Sequence, residues 1–244
     1  DRLDALTASD LAWVCLRRNE AYDADFEASA SGHGDPEPLT EQSGSGGDCD
    51  FPVDPRIAPP DAPIFWLPQE DTSVVVLTEA PLDLGNSSPD IRRVHVTAKA
   101  TVRDFRIALG NGQHLQILDC ASDGRIAVAV VPLDLDGFDR IEAIRRFLAV
   151  LHNRAIPPDT RLTRQQRARL RRMLRAFDGQ RAGATQQEIA QVLLHIGKLD
   201  RDEWQASSAR HAVKLLLRDA RSMVAGRNRK LLRQPRPRKR ETVR

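Results

Sequence analysis

The side chains with the clearest chemical potential are basic residues that recur at helical spacing between residues 207 and 225. At about 100° per residue, Lys214, Arg218 and Arg221 fall on the same side of a helix as Arg210. An α-helix fits the major groove of B-DNA, where Arg and Lys pair with guanine O6 and N7 and other charges neutralise phosphates. The spacing therefore predicts a DNA-reading helix with a basic face made of Arg210, His211, Lys214, Arg218 and Arg221.

The opposite side of this predicted helix is apolar, which makes it suitable for packing on other helices. The alternative is that the basic face is only the solvated side of an amphipathic helix. The apolar positions are Ala209, Ala212, Val213, Leu216, Leu217, Ala220, Met223 and Val224.

The segment before this helix resembles the first helix of a helix-turn-helix motif in composition. Thr185, Gln186 and Gln187 give it a polar start whose amides can face a phosphate, and Ile189-Ala190 is apolar. Ser207 or Ser208 opens the reading helix, and these five polar residues are predicted to contact DNA. Residues 196–206 are longer than a standard helix-turn-helix turn, so the docking geometry stays open.

Further basic residues extend the predicted surface. Arg227, Arg229 and Lys230, with a tail at 234–244 predicted to be disordered, would add sequence-independent, salt-sensitive affinity; a tail that serves only solubility is the alternative. The helix from Thr163 has arginines opposite its apolar stripe, which form either a second phosphate surface or a solvated or oligomer-facing side. These arginines are Arg164, Arg169, Arg171, Arg172 and Arg175.

Other chemistries lack a matching pattern. The six histidines and three cysteines have no paired metal-ligand spacing, and neither a phosphate-binding glycine loop nor a Gly-x-Ser-x-Gly elbow is present. Cys15 and Cys120 are expected to be buried. The carboxylate pairs at 119 and 123 and at 134 and 136 lie at turns, where Asp is common. We therefore expect no enzymatic activity, no metal and no cofactor.

The surrounding pattern predicts an α+β fold: short N-terminal helices, an antiparallel β-meander and a C-terminal helical, helix-turn-helix-like DNA-binding domain. The predicted divisions are a helical module at 1–28, a flexible linker at 29–62, a β-rich segment at 63–132, the helical domain at 133–233 and the basic tail. The helical domain has a stripe at Ile141, Ile144, Phe147 or Leu148, and Leu151, a capping box at Thr163 and Gln166, and a stop at Gly179.

Charge is distributed unevenly. Residues 1–90 hold 4 basic and 19 acidic residues, whereas residues 91–244 hold 33 basic and 15 acidic ones. Such a split indicates an acidic N-terminal part and a basic part that meets a polyanion. There is no transmembrane or signal-peptide pattern, so a cytoplasmic protein without membrane contact is expected.

Two stretches resemble known families. Leu11-Ala-Trp-Val-Cys-Leu-Arg-Arg-Asn-Glu-Ala-Tyr22, with Phe26, is similar to the N-terminal transcriptional regulator-like module, with Glu20 in place of the usual Pro. Residues from about His114 to Leu232 resemble the DNA-binding domain of RovC-type regulators, through Arg145-Arg146-Phe147, Thr185-Gln-Gln-Glu-Ile-Ala, Trp204, Arg218-Asp219 and Met223-Val-Ala-Gly.

The resemblance implies a transcription factor, and similarity to FseA-type activators implies control of the excision of integrative and conjugative elements. Secretion genes are the other implied target. Implied partners are double-stranded DNA, RNA polymerase and a small antiactivator protein, with a homo-oligomer expected from operator symmetry. By analogy the N-terminal module would dock a protein partner through Trp13, Arg17, Arg18 and Tyr22; the alternative places its aromatic residues in the core.

Two other functions stay open at this point. One is a protein-interaction module or antiactivator that binds another regulator. The other is an architectural excision factor, which would bend DNA without affecting transcription.

Overall fold

In the computed structural model, the described residues are 6–31, 53–59, 61–82, 95–99, 103–110, 113–121 and 127–235. They form seven α-helices, a short 3-10 helix and a five-stranded sheet. This confirms the predicted α+β class. Within these ranges, every helix is too short or too polar to cross a lipid bilayer.

Local hydrogen bonds define the start of the first N-terminal helix. Thr7 caps α1 (Ala8–Leu16): its hydroxyl accepts a hydrogen bond from the Asp10 amide, and the Asp10 carboxylate accepts one from the Thr7 amide. These bonds satisfy amides that lack helical partners in a first turn. α2 (Glu20–Ser31) contains Tyr22 and Phe26.

The end of the predicted linker is packed against these helices. The Tyr22 hydroxyl donates to the carbonyl of Val53 at 2.9 Å, and the indole N–H of Trp13 donates to the carbonyl of Ile57 at 3.1 Å. Val53 is itself buried. Residues 53–59 are thus ordered because their carbonyls pair with buried aromatic donors. The linker residues 32–52 and 60 lie outside the described ranges.

The sheet has the order β2-β3-β4-β1-β5, with strands β1 (Val75–Glu79), β2 (Val96–Lys99), β3 (Asp104–Ala108), β4 (His114–Asp119) and β5 (Ala127–Ala129). β2, β3 and β4 form an antiparallel meander, as predicted. β1 departs from it, because it pairs parallel to β4, with Val75 opposite Ile117, and antiparallel to β5. The sheet is therefore mixed. A parallel neighbour is joined by a crossover, which turn residues do not signal.

Five helices complete the fold: α3 (Asp136–Leu151), α4 (Arg164–Arg181), α5 (Gln186–Leu194), α6 (Arg201–Ala206) and α7 (Ser208–Val224). Thr163 and Gln166 cap α4 as predicted. The predicted stop at Gly179 is wrong, because α4 continues through this residue. Gly183 follows the helix instead, with φ +88°, a left-handed conformation that favours glycine.

Two hydrophobic clusters hold the molecule together. One joins α1, α4, α5 and α7 around Trp13, Leu174, Val213 and Leu217. The other lies between α3 and the sheet, around Phe147, Ile107 and Ile117. The N-terminal helix therefore shares a core with the helices predicted to bind DNA.

Only part of the apolar stripe predicted for α3 is buried. Phe147 is in the core, but Ile141 and Leu148 are 44% and 45% exposed. Arg140 and Arg146 are buried on the sheet side instead. Hydrogen bonds to backbone carbonyls hold Arg140 there, and an ion pair with Asp159 holds Arg146.

Candidate nucleic-acid interface

The basic face predicted on the last long helix is present on α7. His211, Lys214, Arg218 and Arg221 are exposed, and Arg210 is half-buried because its guanidinium donates to the carbonyl of Gln205 at 3.3 Å. The structure thus brings these five side chains together on one helix, with Lys214 near the centre. We call this surface, formed by Arg210, His211, Lys214, Arg218 and Arg221, the α7 cationic face.

The apolar side of α7 positions this face. Val213, Leu217 and Ala220 are fully or almost fully buried, and α7 packs most extensively on α4 and then on α5. Ser207 caps the helix by accepting the amide of Ala209 at 3.0 Å. Gly226, with φ +113°, lets the chain turn sharply after it. The face is therefore fixed to a rigid helical layer.

One carboxylate connects α7 with the arginines of α4. Asp219 accepts a hydrogen bond from Arg169 at 2.5 Å and from Arg218 at 3.1 Å. The hydrogen bond from Arg169 is the main reason that the pKa of Asp219 lies below its usual range. The sequence places Arg169 only in a possible second surface, but Asp219 holds it beside the α7 cationic face.

A second contact joins the same two helices. Arg221 donates to the side-chain carbonyl of Gln180 at 2.7 Å. Arg221 and Arg218 are thus both oriented by partners before any ligand binds, which reduces the entropy lost when they engage phosphates.

Thr185 and Glu188 form a capping box at the start of α5. The Thr185 hydroxyl accepts the amide of Glu188, and the Glu188 carboxylate accepts the Thr185 amide at 2.7 Å. Gln187 donates to the carbonyl of Leu199 at 2.6 Å and so holds the following loop. The carboxylate of Glu188 already pairs with the Thr185 amide at the start of α5, where the sequence predicts a phosphate contact. Thr185 and Gln187 therefore have structural partners, and Gln186 is half-buried.

The connection before α7 differs from a standard helix-turn-helix turn. It contains α6, which Asp200 caps through the amides of Asp202 and Glu203. Trp204 of α6 packs against the helical core. Ser207 alone separates α6 from α7, and Ser208 is exposed in the first turn of α7.

The basic residues after α7 lie on the 3-10 helix Arg227–Leu231, which packs on α1 and α7. Arg227, Arg229 and Lys230 are exposed, while Leu231 and Leu232 are buried and anchor the segment. Of the predicted tail, residues 236–244 lie outside the described ranges.

The two aromatic residues predicted to form a partner surface on the N-terminal module are buried. Trp13 and Tyr22 are 0% and 1% exposed and pack edge to face at 5.4 Å, as the core alternative predicted. Arg17 donates to the carbonyl of Pro55 at 2.7 Å, and Arg18 pairs with Asp178 of α4 at 2.7 Å. The partner site predicted from these four residues is corrected accordingly: all four hold the module onto the rest of the fold.

The sequence did not predict a buried ionic cluster formed by Asp71, Arg146, Asp159 and Arg161. Arg161 pairs with Asp159 at 2.7 Å and with Asp71 at 3.1 Å, and Arg146 lies 3.7 Å from Asp159. Burial is the largest single effect and raises the pKa of Asp159, but the charges of Arg161 and Arg146, together with the hydrogen bonds from Arg161, outweigh it and hold that pKa well below its usual range. The short Asp159-Thr-Arg161 spacing was the only local signal, because Asp71 is distant in sequence.

The described part of the chain holds no group of three or more His, Cys, Asp or Glu side chains arranged for a metal. Cys15 is buried as expected, and burial raises the pKa of its thiol to about 12. Cys120 is exposed, contrary to the expectation, because it follows the end of β4.

Comparison with protein families covers both ends of the chain. Residues 130–233 match the model described as a T6SS transcription factor DNA-binding domain, of the RovC type, and residues 1–45 match the proteobacterial transcriptional regulator-like domain. No curated protein matches the chain significantly. The first match contains α3 to α7 and thus the whole α7 cationic face. The chain therefore combines a RovC-type transcription factor DNA-binding domain with a proteobacterial transcriptional regulator-like domain, and it is a DNA-binding transcriptional regulator.

Proposed function

We propose that the chain reads the major groove of double-stranded DNA with the α7 cationic face and activates transcription from the bound promoter. The observation that carries this proposal is the placement of Lys214, Arg218 and Arg221 on one exposed side of a helix whose other side is buried. A buried side fixes the orientation of the helix, and exposed guanidinium groups can then reach base edges and phosphates.

The other basic residues have distinct roles in this proposal. Arg169 joins the interface from α4, and Arg227, Arg229 and Lys230 bind phosphates without reading sequence. Ser207 and Ser208 lie at the end of α7 that approaches the groove, whereas Thr185, Gln186 and Gln187 support the neighbouring α5 end. The departure from a standard turn means that α7 docks at an angle of its own.

The regulated genes belong to mobile-element excision and transfer or to secretion, and we propose an activator that contacts RNA polymerase. A small antiactivator protein is a further proposed partner. Because Trp13 and Tyr22 are buried, such a protein would meet another surface of the acidic N-terminal part.

Genome-wide footprinting followed by gel-shift assays on the strongest site tests the proposal. Lys214→Ala is expected to abolish the specific shift, since Lys214 is exposed at the centre of the face. Arg154→Ala removes one exposed basic residue that follows α3, and it should leave the shift unchanged. Equal binding by wild type and Lys214→Ala would contradict the assignment.

A reporter assay separates activation from DNA binding. Wild type should raise expression from the bound promoter, and Lys214→Ala should not. Strong DNA bending without any change in expression would instead favour an architectural factor.

A further inference from the structure

One exposed leucine lies among the polar side chains of α7. Leu215 is 40% exposed and is the only exposed large apolar side chain of this helix, which the structure describes throughout. Single exposed aliphatic side chains are ordinary on protein surfaces. On a surface that binds DNA they have few partners, however, because phosphates and most base edges are polar. The position of Leu215 on α7 therefore bears on which part of DNA it can contact.

Helical geometry points Leu215 away from the protein core. With Arg210 at 0° and about 100° per residue, the buried positions of α7 fall between about 240° and 340°. The direction straight away from the core is then about 110°, and Leu215 falls at about 140°. His211 and Arg218 share this direction, at about 100° and about 80°. These three side chains therefore form the outermost line of the helix.

Cations lie on both flanks of this outermost line. Lys214 and Arg221 lie on one flank, at about 40° and about 20°. On the other flank, Asp219 at about 180° accepts a hydrogen bond from Arg169 of α4 at 2.5 Å. A helix in the major groove lies between two phosphate backbones, so its flanks meet phosphates and its outermost line faces base edges. In that arrangement Leu215 meets bases rather than phosphates.

Thymine supplies the apolar group that a leucine can recognise in the major groove. Its C5-methyl group projects into the groove, where adenine and guanine present N7 and cytosine presents an amino group. Removing one buried methyl group from such a contact lowers the affinity about fourfold. A side chain that only forms hydrogen bonds would not distinguish thymine from uracil, whereas a leucine that contacts the methyl group would.

We propose that Leu215 contacts the C5-methyl group of a thymine in the DNA site and thereby helps to determine which sequence is bound. The inference rests on the proposed function, in which α7 lies in the major groove. Arg218 and His211 lie about 4.5 Å and about 6 Å from Leu215 along the helix axis, and base pairs are about 3.4 Å apart. The thymine therefore lies within about two base pairs of the bases that these two side chains approach.

Deoxyuridine substitution removes the methyl group of one thymine and keeps its hydrogen-bonding groups, so it tests this contact directly. On the strongest footprinted site, replacing thymines one at a time should lower the affinity of wild type about fourfold at the contacted thymine. Leu215→Ala should bind the unsubstituted site about fourfold more weakly than wild type and should not respond to deoxyuridine at that position. Val192→Ala is the matched control, since Val192 of α5 is a 70% exposed aliphatic residue on another helix, and it should respond like wild type.

The same binding data separate this inference from the proposed function. A wild type that binds the site but responds to no single deoxyuridine overturns the contact, and so does a Leu215→Ala variant that keeps the full response. Both results leave DNA reading by α7 in place. A Lys214→Ala variant that binds the site like wild type would contradict the proposed function, and the contact with it. Far-ultraviolet circular dichroism checks that each variant is folded.

Discussion

At the scale of single residues, the α7 cationic face depends on one acidic side chain. Asp219 is 23% exposed and accepts hydrogen bonds from both Arg169 and Arg218. A carboxylate next to a DNA-binding surface opposes phosphates, yet it also fixes two guanidinium groups that would otherwise be mobile. If the α7 cationic face binds DNA as proposed, we therefore expect Asp219 to favour specificity at the expense of total affinity.

Asp219→Asn should separate these two effects. We expect tighter binding to arbitrary duplex DNA, because a negative charge is lost, and a severalfold lower ratio of specific to non-specific affinity, because Arg169 and Arg218 lose their anchor. Competition binding with operator and random duplexes measures that ratio. Asp178→Asn makes the same change in charge at the end of α4 that contacts Arg18, and it should keep the ratio. Identical ratios for both variants would refute this role for Asp219.

A second residue-scale prediction concerns the buried ionic cluster. Asp159→Asn leaves Arg161 and Arg146 without their shared carboxylate, and removing one partner of a buried pair costs about 3–5 kcal/mol. Urea denaturation should show this loss in the free energy of unfolding. Glu27→Gln, which breaks the exposed pair with Arg56, should cost less than about 1 kcal/mol.

The same carboxylate makes stability depend on pH. The pKa of Asp159 is lower in the folded protein than in the unfolded chain, so its contribution is fully present above the unfolded value of about 4. Stability is then lost as the pH falls through the folded value. In the acid range, wild type should lose stability more steeply than Asp159→Asn, and parallel losses would contradict the assignment.

At the scale of elements, the capping boxes were predictable because their partners lie within one turn. Thr163 with Gln166 is an example, and Ser207 with Gly226 delimits α7 in the same way. α6 was not predicted, since six residues are too few for an apolar period to appear. The exposed side of α3 was also missed, because Arg140 and Arg146 are buried by partners far away in sequence.

Two glycines in helices give a prediction at this scale. A Cβ at position 137 would lie 2.1 Å from the carbonyl oxygen of Pro132, so Gly137→Ala must displace the backbone at the start of α3. At position 179 the nearest side-chain atom would be at 3.5 Å, an ordinary contact. Gly137→Ala should therefore lower the melting temperature. Gly179→Ala should leave it unchanged or raise it, because alanine is favoured over glycine in a helix by up to about 1 kcal/mol. The reverse order would contradict this packing.

At the scale of the whole molecule, the sequence predicted the helix with the α7 cationic face but not how that helix is supported. The charge asymmetry and the helical period of residues 207–225 are local properties, and both are sufficient to identify the α7 cationic face. The core that α1 shares with α7 could not be predicted in this way, because contacts such as Arg18 to Asp178 join residues that are far apart in sequence. The N-terminal module therefore stabilises the DNA-binding helices directly.

The most direct test of DNA reading by α7 is the salt dependence of binding to the strongest footprinted site. The logarithm of the binding constant should fall linearly with the logarithm of salt concentration, and the slope should decrease by about 1 for each phosphate that a variant no longer neutralises. In the residual binding that low salt preserves, Lys214→Ala with Arg221→Ala should therefore reduce the slope by about 2, whereas Arg56→Ala with Arg154→Ala should leave it unchanged. An unaltered slope in the α7 double variant, or no duplex binding by wild type, would contradict the central claim.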